Sequence, residues 1–147
     1  MHAIVEAARP LAVTVEALGV QAPEDFDRAF EAATRLPADS LLTTQGQFLL
    51  RQRQRIVDFA AKNRIPAIYA WREAVDAGGL MSYGPDLAAQ FRRAAYYVDR
   101  LLKGAKPADL PVEQPREFEF IINLKTAQAL GLTIPEHVLL QTTEVIK

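Results

Sequence analysis

An α/β fold built on a mainly parallel sheet, with helices on both faces, is the class this sequence predicts. Three observations lead to it. Short apolar runs of strand length alternate with longer amphipathic segments, the order expected of strand-helix-strand units. Glycine and proline fall mostly between those segments. The 147-residue chain is 50% hydrophobic and 24% charged, enough apolar material for a core that buries roughly two thirds of the unfolded surface.

Each element follows from local pattern. Residues 2 to 9 have helical composition, and Pro10 ends them because proline disfavours the α conformation of the residue before it. Leu11, Val13, Val15 and Ala17 alternate with smaller or polar residues, which predicts a half-buried strand over 11–17. Gly19 turns the chain. Pro23, Glu24 and Asp25 suit the start of a helix that places Phe26, Ala29, Phe30 and Ala33 on one face and ends near Leu36-Pro37. Residues 40–44 read as a short strand, and after Gly46 a single helix is expected, with Leu49, Ile56, Phe59 and Ala60 on a common face. Residues 66–70 give another strand. A helical turn from Trp71 to Val75 stops at Gly78-Gly79, and residues 80–83 form a further strand candidate.

After Gly84-Pro85 comes the clearest helix, with Leu87, Phe91, Ala94, Ala95, Val98, Leu101 and Leu102 spaced to form one stripe. Residues 104–116 hold Gly104, Pro107, Pro111 and Pro115 and read as a linker. Phe118, Phe120 and Ile122 alternate as a strand, Leu124 to Leu130 reads as a helix capped by Gly131, and a last helix is expected from Pro135.

Composition removes several functions. A formal net charge of −1 and a pI near 6.1 argue against a nucleic-acid or anionic-membrane partner. The absence of cysteine excludes disulfides, thiolate metal sites and cysteine nucleophiles, and leaves the redox compartment open. No run approaches the roughly 18 apolar residues of a membrane helix, and no export signal is expected in residues 1–6. His2 and His137 stand outside any metal or triad spacing, so neither a metal nor any other cofactor is expected. Gly78-Gly79 precedes a strand and is no phosphate loop. Arg51, Arg53 and Arg55, with Lys62 and Arg64, fan over a wide arc and read as a solvated helix face. Glu73 and Asp76 form no convergent acid-base pair, and enzyme chemistry is not expected.

Open parallel sheets bind ligands outside the carboxyl ends of their strands, which singles out the loops at 43–45, 71–73 and 83–85. Thr44 and Gln45 supply hydrogen bonds, Trp71 and Tyr83 aromatic walls, and Arg72 a guanidinium able to grip a carboxylate. These five are the candidate ligand-binding residues for an amino acid or small carboxylate. The competing reading has Trp71 and Tyr83 packing between layers and Arg72 paired with a neighbouring acid.

The stretches Ile65-Pro66-Ala67-Ile68-Tyr69-Ala70-Trp71-Arg72-Glu73, Ala77-Gly78-Gly79-Leu80-Met81-Ser82-Tyr83-Gly84 and Ala94-Ala95-Tyr96-Tyr97-Val98-Asp99-Arg100 resemble ABC-transporter substrate-binding proteins of the type I periplasmic-binding fold. So do Leu102 to Pro115 and Phe118 to Ala127, and the resemblance runs from about residue 23 to 147. It implies an exported two-lobed protein that closes on a small solute, amino acids among them, and delivers it to a membrane permease. The chain resembles only the C-terminal half of such a protein: residues 10–84 correspond to the second lobe, and 85–147 to segments that return to the first. The resemblance further implies that the strand beside residues 11–17 is missing and that apolar faces from about residue 86 lose their cover. One α/β unit is therefore expected, either refolded as a compact single domain or, in preference, strand-sharing or swapped in a homodimer. The implied location is periplasmic or extracellular, or cytoplasmic if Met1 is the true start. The alternative function is a truncated remnant acting as a cytoplasmic homo-oligomeric interaction or structural protein with no solute.

Overall fold

The computed structural model describes residues 2–36 and 38–147, and the chain divides into two units, Met1–Ala38 and Asp39–Lys147. In the first, α1 (His2–Ala8) runs into a 3₁₀ turn, Arg9–Leu11, where the missing N–H of Pro10 costs nothing. The strand expected over 11–17 is not formed. Residues 12–20 have no regular structure, and Leu11 and Val13 are 72% and 55% exposed. Alternation gives a segment two faces, but a strand also needs a neighbour for its N–H and C=O groups, and no ladder pairs these residues among those described.

Helix α2 (Asp25–Arg35) begins where Asp25 Oδ2 accepts hydrogen bonds from the N–H groups of Gln21 and Ala22, at 2.9 and 3.0 Å. Those bonds, with Arg28 nearby, hold the Asp25 carboxyl below its ordinary range. Phe26, Ala29 and Ala33 are buried, as the helical spacing predicts, and Phe30 lies 5.4 Å from Phe26 between ring centroids. The helix closes at Leu36, and Pro37 lies outside the described residues.

The second unit is a five-stranded sheet in the order β1 (Leu41–Leu42), β2 (Ala67–Tyr69), β3 (Met81–Pro85), β4 (Phe118–Asn123), β5 (Glu144–Ile146). β1, β2 and β3 run parallel, β4 is antiparallel to β3, and β5 is parallel to β4. The mainly parallel α/β class is as the sequence predicts. Adjacent Ile121 and Ile122 point to opposite faces and are both 0% exposed, so the sheet is covered on both sides at β4. β3 runs two residues beyond the expected end, through Gly84 and Pro85. Proline is tolerated there because position 85 pairs with Phe118 on β4 only, past the end of β2.

The single helix expected after Gly46 is two, α3 (Gln47–Arg51) and α4 (Arg53–Lys62), broken at Gln52 (φ −96°, ψ 11°). α4 buries Ile56, Val57 and Ala60. α5 (Arg72–Asp76) buries Ala74 and Val75 and ends at Gly78, whose φ of +103° suits glycine. At Gly79 a Cβ would come within 2.6 Å of Tyr69 Cε2 and 2.7 Å of the Ala74 carbonyl oxygen, so this corner admits only glycine. α6 (Leu87–Leu102) is capped by Asp86, whose Oδ1 accepts from the Ala89 N–H at 3.0 Å. The linker that follows holds one 3₁₀ turn, Pro107–Asp109.

Asn123 caps α7 (Leu124–Ala129), and Gly131 closes it at φ +74°, as expected. The last helix is brief: α8 (Glu136–Leu139) gives way to β5, a strand the sequence pattern did not predict.

Candidate functional site

β1, β2 and β3 end together at one edge of the sheet. Thr43, just past β1, donates its N–H to the Ile68 carbonyl at 3.0 Å and buries its side chain, whose Oγ1 has no hydrogen-bond partner among the described residues. Thr44 and Gln45 follow it and are exposed. Past β2 the chain bends at Ala70 and Trp71, and Arg72 opens α5. Ala70 lies directly against Gly84 of β3, where a Cβ would collide with the Ala70 carbonyl oxygen. This close approach lets the loop after β2 lie flat on β3 and sets the position of Trp71 and Arg72.

Trp71 is 9% exposed. It lines an open pocket of about 320 Å³ together with Arg72, Glu73, Pro85, Asp86, Leu87, Ala88 and Glu119. Arg72 reaches across the sheet from α5. Its Nη1 donates to Glu144 Oε2 of β5 at 2.6 Å and lies 3.6 Å from Glu119 Oε1 of β4, while Nε is 3.5 Å from Asp76 Oδ2. The hydrogen bond to Glu144 is the main influence raising the Arg72 pKa, and Arg72 in turn holds the Glu144 carboxyl below its ordinary value. The guanidinium thus ties α5 to β4 and β5.

The structure brings together two of the five candidate residues, Trp71 and Arg72. Thr44 and Gln45 stay in the loop after β1, outside the residues lining this pocket. Tyr83 is 56% exposed and stacks on Phe118, with centroids 5.7 Å apart and planes at 19°, and meets Phe120 edge-on at 6.2 Å. Sequence reasoning missed Asp86, Glu119 and Glu144. Asp86 is legible as a helix cap before the α6 stripe, and Glu119 as a polar position of an alternating strand. Glu144 depends on β5, whose only local signal is the pair Val145-Ile146. The pocket lining presents one guanidinium and three carboxylates, Glu73, Asp86 and Glu119, so it offers acceptors for a cationic group beside one cation.

A smaller cavity of about 110 Å³ lies at the other end of the parallel strands, lined by Ala67, Tyr69, Leu80 and Thr126 among others. Burial pushes the Tyr69 hydroxyl pKa up to about 12, so it resists ionisation beyond the ordinary tyrosine value of 10.

Comparison with known proteins decides the family. The family model for ABC transporter substrate binding proteins matches residues 1–146. The chain belongs to the ABC transporter substrate-binding protein family. Among solved structures, this family member is similar to an ABC domain from Streptococcus pneumoniae in complex with L-Trp, at 28% identity and a TM-score of 0.90. It is also similar to a conserved domain protein from Vibrio cholerae O1 biovar El Tor, at 25% identity and a TM-score of 0.86. A ligand-free, open substrate-binding protein with adhesive properties from Clostridium difficile, at 20% identity and a TM-score of 0.65, shares the fold. These matches cover 98–99% of this chain and 48–49% of theirs, so the family member spans about half the length of the solved proteins it matches. No curated protein matches the chain.

Proposed function

We propose that the chain is a solute-binding component of an ABC transporter, or half of one, that holds a small solute without chemistry and presents it to a membrane permease outside the cytoplasm. The observation that carries this reading is the pocket at the carboxyl end of the parallel strands, where Trp71 and Arg72 meet Asp86 and Glu119. An amino acid suits it. Its ammonium group would face the carboxylates, its own carboxylate would compete with Glu144 for Arg72, and Trp71 would supply the apolar wall. The L-Trp in the similar Streptococcus structure supports the same ligand class. Thr44, Gln45 and Tyr83, at the ends of β1 and β3, lie outside the lining of this pocket and enter the proposed contact set only as outer contacts. A homodimer belongs to the same reading, because the chain leaves large apolar side chains uncovered.

That exposure also favours a second reading, a homo-oligomeric interaction protein that binds no solute. Calorimetric titration with a panel of amino acids and small carboxylates separates the two. The first predicts saturable binding that Trp71→Ala and Arg72→Ala each weaken at least about tenfold. Binding equal to wild type in both folded variants would overturn the site, and no binding across the panel would favour the second reading.

A further inference from the structure

The cavity of about 110 Å³ at the entry end of the parallel strands lies between α4, α7 and the starts of β2 and β3, apart from the pocket around Trp71 and Arg72. Val57, Ile65, Leu80 and Leu130 give it apolar walls. Tyr69, which also lines it, is 2% exposed, and its hydroxyl has no hydrogen-bond partner among the described residues. A buried hydroxyl left unpaired costs stability, and so does an unfilled hole beside it. Thr126 cannot serve that hydroxyl as a donor, because its own Oγ1 donates to the Gly78 carbonyl at 3.0 Å. Arg64 lines the cavity at its exposed side, has no ion-pair partner among the described residues, and meets no acid in the lining. The backbone at Arg64 is an independent feature. Helix α4 ends in a double turn in which Arg64 donates its N–H to the Ala61 carbonyl at 3.2 Å and Ile65 donates to Ala60 at 2.9 Å. That turn holds Arg64 in the left-handed region at φ +53°, where glycine is the usual residue. A role for its guanidinium explains an arginine kept there against backbone strain.

We propose that this cavity is a second binding site, for a short-chain monocarboxylate, with the alkyl end among the apolar walls and the carboxylate accepting from the Tyr69 hydroxyl and the Arg64 guanidinium at the opening. Each part of the ligand follows from the lining. A cation and a hydroxyl donor with no acid beside them select an anion, and the apolar walls favour one that carries hydrocarbon over an inorganic ion. The opening to solvent lets the charged head stay partly hydrated, so no charge is fully buried. Size sets the chain length. A cavity of about 150 Å³ holds the six heavy atoms of benzene, so about 110 Å³ suits roughly four or five, the size of propionate. This site stands or falls separately from the pocket at the other end of the strands.

The test is an NMR titration of the isotope-labelled full chain with sodium propionate at constant ionic strength. The amide signals of Gly78, Leu80 and Thr126 should move saturably, with a dissociation constant in the millimolar range that so small a ligand allows, while those of residues 71–73 stay in place. Propionamide, equal in size and neutral, should bind at least about tenfold more weakly. Tyr69→Phe and Arg64→Gly should each weaken propionate at least about tenfold. Neither variant should lower the melting temperature, because one deletes an unpaired hydroxyl and the other relieves a left-handed residue. No shift up to roughly 50 mM, shifts confined to residues 71–73, equal binding of propionamide, or wild-type affinity in both variants would each overturn the site. Weaker binding accompanied by a lower melting temperature in both variants would make Tyr69 and Arg64 structural and overturn it too.

Discussion

Gly84→Ala probes the foundation of the site. The added Cβ would collide with the carbonyl oxygen of Ala70 and lie 3.1 Å from its carbonyl carbon. The obstacle is backbone on both sides, since Gly84 pairs with Glu119 on β4 and Ala70 leads directly into α5, so no side chain can swing away. Overpacking of this kind costs about 1–3 kcal/mol, offset by roughly 0.4–1 kcal/mol from the reduced freedom of the unfolded chain. A net loss of about 1–2 kcal/mol lowers the melting temperature of a domain of about 100 residues by roughly 5–10 °C. The assay has a second readout, because Trp71 is the sole tryptophan and sits next to the displaced residue. Its emission should shift to the red as the loop lifts from β3. Gly19→Ala is the control: nothing lies within 4 Å of its Cβ, and its stability should be unchanged or slightly raised. If Gly84→Ala melts with the control and keeps the wild-type emission, the close approach of Ala70 to β3 is refuted.

Three further outcomes follow from particular groups. Thr43→Val should stabilise the chain by about 1 kcal/mol in urea unfolding, because it removes a buried hydroxyl that has no partner among the described residues; a loss of stability would show that the hydroxyl is satisfied. Arg72 and Arg93 hold Glu144 and Glu113 below their ordinary value of 4.5, so their contribution is present above that value and is lost as pH falls through the lowered ones. Melting temperature should therefore fall on acidification below about pH 4.5, and Glu144→Gln should flatten that slope; an equally steep slope in the variant would remove Glu144 from the account. Tyr69 is raised to about 12, so its contribution is intact below 10 and fades as pH rises through 12. Absorbance titration should show one of the four tyrosines ionising late or only on unfolding, and uniform ionisation near 10 would contradict its burial.

Elements whose signal is local were legible in the sequence. The spacing of Phe26, Ala29 and Ala33 predicts the buried face of α2, and Gly131 predicts the end of α7. Elements that depend on a distant partner were not. Residues 11–17 alternate well enough for a strand but find no ladder, whereas Glu144–Ile146 is only three residues long and becomes β5 because β4 lies beside it. The site divides the same way. Trp71 and Arg72 follow from their position after β2, but the partner of Arg72 lies 72 residues away on that unpredicted strand. The α6 stripe predicts a helix correctly and implies a buried face that this chain does not cover.

The measurement closest to the central claim is native mass spectrometry of the folded chain mixed with an equimolar panel of amino acids and small carboxylates. A pocket that holds one small solute predicts a single adduct in the amino-acid mass range per chain, lost in Trp71→Ala. A folded chain that stays empty across the panel would contradict a solute-binding role.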